Sequence, residues 1–384
     1  MITSATLDAI FEKFYDNYYK MIDPNFVQIA LMTHTYFMKS EELLFYFSQK
    51  YKQSKSNKKR DELIRSKILK IITTWIEVVE KDKLPHFTKI MSTNWKQFQK
   101  EIREEKGSQI FSVAEKLKTT EMVQHIPETL SDKTLPKNDL DCLSYSTKTL
   151  AMSFTQYAFF LFSKIRTWEI LHGNWMKPEK SPNYSAFVAN FNTIQMWSIT
   201  QVLTRKSFSE RVQVLNQLVN LSYECCNFHN FHTSFAIYAG LSSSNLSRMK
   251  KHWKKTDKST QSRYIALSNL FSPAKNHKEY QSKVAQLKKE TMIPIIGIMG
   301  KFLFAIEENN PSKLSNGQLN YQKFRMLYVL TQQINKLQSK MYVFEQTQEV
   351  YSLVKLLLGC ELTAMDDKAL YELSLEYEPR EPKN

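Results

Sequence analysis

Glycine is nearly absent from this chain. Only 7 of its 384 residues are glycine, whereas an average usage of roughly 7 per cent would give about 27. Turn-rich sandwiches, barrels and phosphate-binding loops need closely spaced glycines, because glycine adopts left-handed backbone conformations without strain. The composition therefore argues against those folds and predicts a mostly helical protein.

Apolar residues recur at helical spacing in several stretches. In the first of these, Ile68, Ile72, Trp75 and Val79 follow the i, i+4, i+7 rule for one buried stripe of a helix. Similar stripes occur within 212–226 and 350–358. Clean alternation with a period of two is scarce, so nearly every element is predicted to be a helix.

A polar stretch that contains a proline separates two helical regions of the sequence. We therefore predict an N-terminal domain at 1–127, a linker at 128–141, a larger domain at 142–376 and a tail at 377–384. No internal repeat of solenoid length is found, which argues against an extended helical array.

Basic residues outnumber acidic ones by 53 to 38, which gives a net charge of +15. This charge favours an anionic partner, such as nucleic acid, a membrane surface or an acidic protein, without choosing among them. We expect no signal peptide and no transmembrane helix, because the longest apolar runs are far below membrane-spanning length. The four cysteines lack framework spacing, which predicts reduced thiols in a cytoplasmic protein.

One cluster has the residue types of a metal site. On a continuous helix, Cys225, His229 and His232 would share one face, but no fourth ligand is visible nearby. We therefore assign no metal and expect no cofactor. The motifs GxxxxGK[ST], GxGxxG, HExxH and GxSxG are absent, so any catalysis is expected to proceed without covalent chemistry.

The basic run at 248–263 interleaves Trp253 with lysines and arginines, as nucleic-acid sites do. A solvated helix end with one buried tryptophan explains the pattern equally well. Basic residues are also spread over both halves of the chain and form no recognised reader module, so nucleic acid is the weaker expectation.

The stretch IPIIGIMGKFLFAIEENN at 293–310 predicts a helix, and the pattern restarts at 319–330 to form a helix–loop–helix hairpin. Gly297 and Gly300 lie inside the first helix, where each costs about 1 kcal/mol relative to alanine. Lys301, Phe304 and Glu308 share one stripe of that helix. The alternative is an ordinary core hairpin in which Phe304 points inward.

This hairpin closely resembles that of the catalytic domain of Ras-family guanine nucleotide exchange factors. The matching positions are Pro294, Gly297, Glu308, Asn310, Leu319, Asn320, Tyr321 and Lys323. The resemblance continues upstream through FNTIQMWSI at 191–199 and the block at 225–253, and downstream at Gln338 and Tyr342. Residues 23–47 resemble the companion Ras exchanger motif domain, so the two domains together cover nearly the whole chain.

The resemblance implies an all-α fold, with an N-terminal helical Ras exchanger motif domain packed on a larger helical catalytic domain that carries a protruding hairpin. It also implies a guanine nucleotide exchange factor that speeds GDP release and GTP loading on a Ras-family small GTPase of Ras or Rap type. In this family the hairpin opens the nucleotide site of the GTPase. The N-terminal domain would brace the hairpin.

The resemblance also assigns roles to single residues. Phe304 would place an apolar ring near the Mg²⁺ position of the GTPase, and Glu308 would compete with phosphate for the phosphate loop. Lys301 and Asn310 would flank them and contact the displaced switch region. The positions that would line the GTPase-docking surface or support the hairpin are Ile295, Ser242, Arg248, Asn276 and His277.

Five residues in four segments depart from the family pattern. Thr33-His34-Thr35 stands in place of T-Y-R, His232 replaces the second asparagine of N-F-N, and Ser242 and Ile295 replace asparagine and an aromatic residue. These changes keep open a second hypothesis, a non-catalytic helical adaptor that binds a small GTPase or another protein. In either case we expect a cytoplasmic protein that is recruited peripherally to an anionic membrane surface.

Overall fold

The structure is a computed structural model. It describes residues 3–15, 23–54, 59–82, 84, 86–87, 89–103, 135–287 and 290–380. Within these ranges helices dominate, and the regular β-structure is one parallel pair of two-residue strands. The predicted all-α fold is confirmed. No helix in the described ranges is both long and apolar enough to cross a membrane.

The α-helices are numbered here in chain order. They are α1 (Leu7–Phe14), α2 (Phe26–Thr33), α3 (Ser40–Gln53), α4 (Lys59–Asp82), α5 (Lys89–Arg103), α6 (Thr147–Lys164), α7 (Thr167–Ile170), α8 (Pro182–Leu203), α9 (Phe208–Asn227), α10 (Phe231–Leu241), α11 (Ser244–Ser247), α12 (Lys250–Trp253), α13 (Lys258–Phe271), α14 (Ala274–Gln286), α15 (Ile296–Asn309), α16 (Tyr321–Gln338), α17 (Gln348–Gly359) and α18 (Asp367–Tyr377).

Shorter elements complete the described ranges. The 3₁₀ helices are His34–Tyr36, Cys142–Ser144, Leu171–Met176 and Pro178–Lys180, and the strands are β1 (Lys137–Asn138) and β2 (Glu361–Leu362). The apolar stripes predicted around 68–79, 212–226 and 350–358 lie on α4, α9 and α17 respectively.

The chain forms two compact units. Unit 1 comprises Met1–Thr129, Arg166–Pro182 and Lys301–Ile334, and unit 2 comprises Leu130–Ile165, Asn183–Gly300 and Asn335–Asn384. This division follows contacts in space, so it differs from the predicted sequence boundaries, which stay a prediction. The first half of the predicted linker, 128–134, lies outside the described residues.

Unit 1 has an aromatic core built by α1 to α5 and by the inner face of α16. The ring of Tyr321 stacks on that of Phe26, with 5.0 Å between centroids, and its hydroxyl donates to the Phe26 carbonyl at 2.8 Å. Arg325 pairs with Asp23 at 2.6 Å. Full burial of a large apolar side chain stabilises a fold by about 1.5–3 kcal/mol, so α16 is an integral part of this core.

Unit 2 has a second core, formed by α6, α8 to α10 and neighbouring helices. The Trp197 indole is fully buried and donates to the Leu140 carbonyl at 3.0 Å. Ser207 caps α9 and exchanges hydrogen bonds with Glu210 in a capping box. Gly240 allows α10 to approach α8 closely, because a Cβ there would lie 2.7 Å from the Gln195 carbonyl oxygen.

Candidate functional site

The predicted helix–loop–helix hairpin is present. Helix α15 begins at Ile296, two residues after Pro294, and the loop at 310–320 leads into α16. The Asn310 side-chain amide donates to the Ala305 carbonyl at 3.3 Å, so this side chain folds back onto the end of α15. Gly317 has a φ of 81°, a left-handed conformation that favours glycine, and it turns the loop.

The first described residues of the chain hold this loop. Ala5 and Leu319 exchange two backbone hydrogen bonds, at 3.2 and 2.8 Å, as in an antiparallel bridge. The Gln322 amide donates to the Thr3 carbonyl at 3.0 Å, and the Ser4 hydroxyl donates to the Gln318 side chain at 2.7 Å. The far end of the hairpin is therefore tied to an ordered segment within unit 1.

The outer face of α15 displays the residues that the sequence analysis singled out. Phe304 is 51% exposed, and Lys301 and Glu308 are exposed on the same stripe. Phe302, beside this stripe, is also exposed. The alternative in which Phe304 points into the core is therefore wrong. Phe302 and Phe304 are two positions apart, about 160° around the helix, so they lie at opposite edges of its exposed face.

The inner face of α15 carries a buried carboxylate that the sequence analysis missed. Glu307 lies 2.6 Å from the Lys323 ammonium on α16, and both side chains are at most one-tenth exposed. The Tyr36 hydroxyl also donates to Glu307. A signal was available: adjacent glutamates on a helix point about 100° apart, so only one of Glu307 and Glu308 can share the stripe of Phe304.

Tyr36 extends this cluster to the 3₁₀ segment at 171–176. Its ring stacks on His172 with 3.9 Å between centroids, and its hydroxyl accepts from the His172 backbone amide at 2.6 Å. Thr35 contacts the His172 ring nitrogen at 2.8 Å. Burial and the nearby Glu307 charge raise the pKa of Tyr36, so its hydroxyl stays a proton donor. Three segments of unit 1 thus converge on Glu307.

His34, one of the departures from the family pattern, is a buried structural residue. One ring nitrogen lies 2.7 Å from the Leu31 carbonyl oxygen and the other lies 2.8 Å from the Ser40 hydroxyl. The ring also meets Trp75 and His86 edge-on. Burial lowers the pKa of His34 to about 4, so it is neutral at physiological pH.

Two of the predicted docking residues in unit 2 are buried. Ile295 is 2% exposed and lies in the core of unit 2, and its backbone amide donates to the Tyr280 hydroxyl at 3.1 Å. His277 is buried as well. These placements favour support of the neighbouring backbone over direct contact with a partner.

The other three docking candidates differ in how free their side chains are. The Arg248 guanidinium donates to the carbonyl of Ser374, so it anchors α18. Ser242 is half-buried at the end of α10. Asn276 is exposed and lies in the middle of three consecutive residues with left-handed φ, at 49°, 57° and 58°. Such backbone strain in residues other than glycine is often retained at functional sites.

The cluster considered for a metal does not form the predicted face. Helix α9 ends at Asn227 and α10 begins at Phe231, so Cys225, His229 and His232 are not on one continuous helix. His232 stacks on Phe187 at 3.8 Å, and burial lowers its pKa to about 3. Within the described residues, no group of three or more potential ligands is placed to hold a metal ion.

Comparison with known proteins identifies the class of protein that carries this hairpin. Residues 149–325 match the RasGEF domain, and residues 1–98 match the RasGEF N-terminal motif. The chain belongs to the family of Ras guanine nucleotide exchange factors.

Three relatives from Dictyostelium discoideum illustrate the similarity. Ras guanine nucleotide exchange factor J is 27% identical over 93% of this chain and 46% of its own length. Factors D and I are 27% and 29% identical over 63% and 66% of this chain, which correspond to 36% and 30% of their own lengths. The chain thus spans between about a third and a half of the length of these relatives.

Proposed function

We propose that this protein accelerates GDP release and GTP loading on a Ras-family small GTPase of Ras or Rap type, by inserting the α15–α16 hairpin into the nucleotide site. The observation that carries the proposal is the outer face of α15. There, a phenyl ring that is more than half exposed lies one helical turn from a carboxylate that forms no ion pair within the described residues. The names of the relatives support the same activity.

The mechanism is differential binding. A protein that binds the nucleotide-free GTPase more tightly than the nucleotide-bound form must weaken nucleotide affinity by the same factor. Typical coupling energies of about 1–3 kcal/mol change an affinity by about 5–150-fold. The exchange factor forms and breaks no covalent bond in this process, and the direction of exchange follows the nucleotide concentrations.

The two outward side chains, Phe304 and Glu308, have different roles in this mechanism. The Phe304 ring occupies the place of the hydrated Mg²⁺ ion, which leaves the nucleotide phosphates without that charge compensation. The Glu308 carboxylate competes for the amides and cations of the phosphate loop, because charge-assisted hydrogen bonds are the strong ones. Lys301 and Asn310 flank them and contact the displaced switch region. The Asn310 side-chain amide also donates to the Ala305 carbonyl near the end of α15.

Gly297 fits close approach by the partner. Gly297 is exposed in the first turn of α15, although its neighbours Ile296 and Ile298 are buried, and an added Cβ there would meet no atom of the described residues within 4 Å. Internal packing therefore gives no reason to accept the cost of about 1 kcal/mol for glycine in a helix. Contact with the backbone of the GTPase gives that reason.

The decisive experiment is nucleotide release from GTPases loaded with a fluorescent nucleotide, with Ras, Rap and Ral types measured side by side. We expect Phe304→Ala and Glu308→Ala to lower the release rate by about 10–100-fold, in line with the usual range of coupling energies. Matched controls are Phe160→Ala, which removes a phenyl ring that is 42% exposed, and Glu372→Ala on α18.

Wild-type release rates in both hairpin variants would contradict the assignment of the site. Binding of the wild-type protein to the GTPase without any acceleration would instead favour an adaptor. The panel also identifies the substrate, since the ratio of release rates between Ras, Rap and Ral types measures specificity directly.

Because lipid-modified Ras-type proteins lie on membranes, the proposal includes peripheral recruitment to an anionic membrane surface. The net charge of +15 supports this step.

A further inference from the structure

A group of unpaired lysines lies on one part of unit 2, outside the hairpin. They follow α8 or lie on and around α12, and all are exposed. The basic patch consists of Lys206, Lys250, Lys251, Lys254, Lys255 and Lys258. Within the described residues none of them pairs with a carboxylate. Three carboxylates lie next to it in sequence or contact its backbone, those of Glu210, Asp257 and Glu378, so with six lysines the patch keeps a net positive charge.

Buried polar contacts bring the two segments of the patch together. The Arg211 guanidinium donates to the Lys206 carbonyl at 3.0 Å and to the His252 ring at 3.0 Å. Glu378 accepts from the backbone amides of Lys251 and His252, at 3.2 and 3.1 Å. The lysine side chains are therefore displayed from a backbone that is fixed by a buried network.

An exposed aromatic ring adjoins these charges. Phe208 is 41% exposed, and its ring centroid lies 4.1 Å from that of His252. His252 directly follows Lys251 of the patch in sequence. Lysines around one exposed phenyl ring match the chemistry of a bilayer surface, where ammonium groups meet anionic headgroups and the ring enters the acyl boundary.

The tryptophan of the basic run at 248–263 is already engaged. The Trp253 indole donates to the Leu246 carbonyl at 2.9 Å, and its ring packs against Tyr264 with 4.6 Å between centroids. Single-stranded nucleic acid is usually bound by exposed aromatic rings on which bases stack. The arginines that border the patch, whose planar guanidinium groups could pair with phosphates, are engaged as well. Arg205 pairs with Asp141, Arg248 donates to the Ser374 carbonyl and Arg263 donates to the Asn220 side chain.

We infer that the basic patch, with Phe208, docks the protein onto an anionic lipid bilayer. The inference assigns a location to the membrane contact in the proposed function, and it rests on the proposed function for the existence of that contact. The patch adjoins Arg248, two residues before Lys250, so membrane docking and GTPase docking would use neighbouring parts of the same unit.

The test is binding of the full chain to vesicles of phosphatidylcholine, with and without phosphatidylserine, measured by sedimentation. Each lysine at such a surface changes the partition coefficient by about fivefold, so Lys254→Glu/Lys255→Glu should lower it by at least about 25-fold. The matched control, Lys336→Glu/Lys355→Glu, makes the same change of charge on exposed residues of α16 and α17 within unit 2. It should have a severalfold effect at most, because distant charges are screened.

A second variant tests the aromatic part of the contact. Phe208→Ser keeps the charge and should lower partitioning by about fivefold, since about half of the ring is available for burial. Release of nucleotide from a soluble GTPase without lipid should be unchanged in all of these variants. That assay reports on the proposed exchange activity separately, so failure of one proposal is distinguishable from failure of the other.

Several results would overturn the inference. They are absence of binding to vesicles that contain phosphatidylserine, equal losses in the two double variants, and loss of exchange in solution by the patch variant, which would make the patch a GTPase contact. Binding of a single-stranded oligonucleotide would also overturn it under two conditions. The first is that Lys254→Glu/Lys255→Glu loses this binding while Phe208→Ser retains it, and the second is that neither variant changes binding to vesicles.

Discussion

The outer face of α15 and the predicted docking positions of unit 2 were assigned by the same resemblance, but their environments differ. Phe304 and Glu308 are exposed, and Glu308 forms no ion pair within the described residues. Ile295 and His277 are buried, and Arg248 donates to a backbone carbonyl of α18. A sequence match thus brings together residues that can touch a partner and residues that hold the fold around them. Burial separates the two groups.

The inner face of α15 belongs with the second group. Glu307 and Lys323 are a buried ion pair, and Tyr36 completes it from another segment of unit 1. Removing one partner of such a pair leaves an uncompensated charge, which usually costs more than the pair itself contributes.

The largest effect on stability is expected from Lys323→Met. It leaves the Glu307 charge buried without its counter-ion, so the free energy of unfolding should fall by about 3–5 kcal/mol in urea unfolding experiments. The double variant Lys323→Met/Glu307→Gln should recover much of this loss, because neither remaining group is charged. Lys313→Met, which changes an exposed lysine of the hairpin loop, is the control. If Lys323→Met is as stable as the wild type, the inner face is not held by this pair.

The next largest effect tests the comparison directly. Ile295→Ala should lower the free energy of unfolding by about 2–5 kcal/mol through a core cavity, whereas Phe304→Ala should change it by less than about 1 kcal/mol because the ring is exposed. For the exchange rate per folded molecule we expect the opposite order, with the larger loss in Phe304→Ala. Urea unfolding and nucleotide release measured on both variants would show whether the larger loss of stability and the larger loss of exchange belong to different variants. Full stability together with lost exchange in Ile295→Ala would place Ile295 among the contacting residues.

Sequence reasoning could find the hairpin because its signals are local. The stripe of Lys301, Phe304 and Glu308 follows from helical spacing, and the exposed position of that stripe agrees with the resemblance. Helical spacing also indicates that Glu307 points away from that stripe, but its contact with Tyr36 could not be found in this way, because Tyr36 lies 271 positions away and only the folded chain brings them together.

Breaks in helices limited the sequence analysis elsewhere. The proposed shared face of Cys225, His229 and His232 required one continuous helix, but the backbone turns at His229, where φ is 57°. Periodicity alone contains no signal for a single left-handed residue that is not glycine. The buried positions of Ile295 and His277 were likewise beyond reach, since a docking role and a supporting role predict the same residue types.

A smaller effect should appear with pH. Burial lowers the pKa of His34 to about 4, below the ordinary value of about 6.5. As the pH falls through 6.5 the unfolded chain binds a proton that the folded chain does not bind, so stability decreases with acid. The expected loss from this residue is about 2 kcal/mol at pH 5 and about 3 kcal/mol near pH 4.

Urea unfolding of the wild type and of His34→Gln at pH 7 and pH 5 measures this loss. The variant should lose less stability between the two pH values, although His86 and His232, whose pKa values burial also lowers, contribute in the same direction. Equal acid sensitivity in the two proteins would show that His34 is not the group responsible. The result bears on the comparison because His34 lies in the core of unit 1, the unit that carries the outer face of α15.

The smallest expected effect on stability concerns Asn276, the docking candidate whose side chain is fully available. Glycine relieves the strain of a left-handed backbone, by about 1 kcal/mol, but it also gives the unfolded chain more freedom, so Asn276→Gly should change stability by less than about 1 kcal/mol. Lys275→Gly makes the same backbone change at the preceding left-handed residue and is the control. If the Asn276 side chain contacts the GTPase, only Asn276→Gly should raise the GTPase concentration needed for half-maximal exchange. Equal behaviour of the two variants would mean that this turn acts through its backbone, and that the exposed contacts are concentrated on the hairpin.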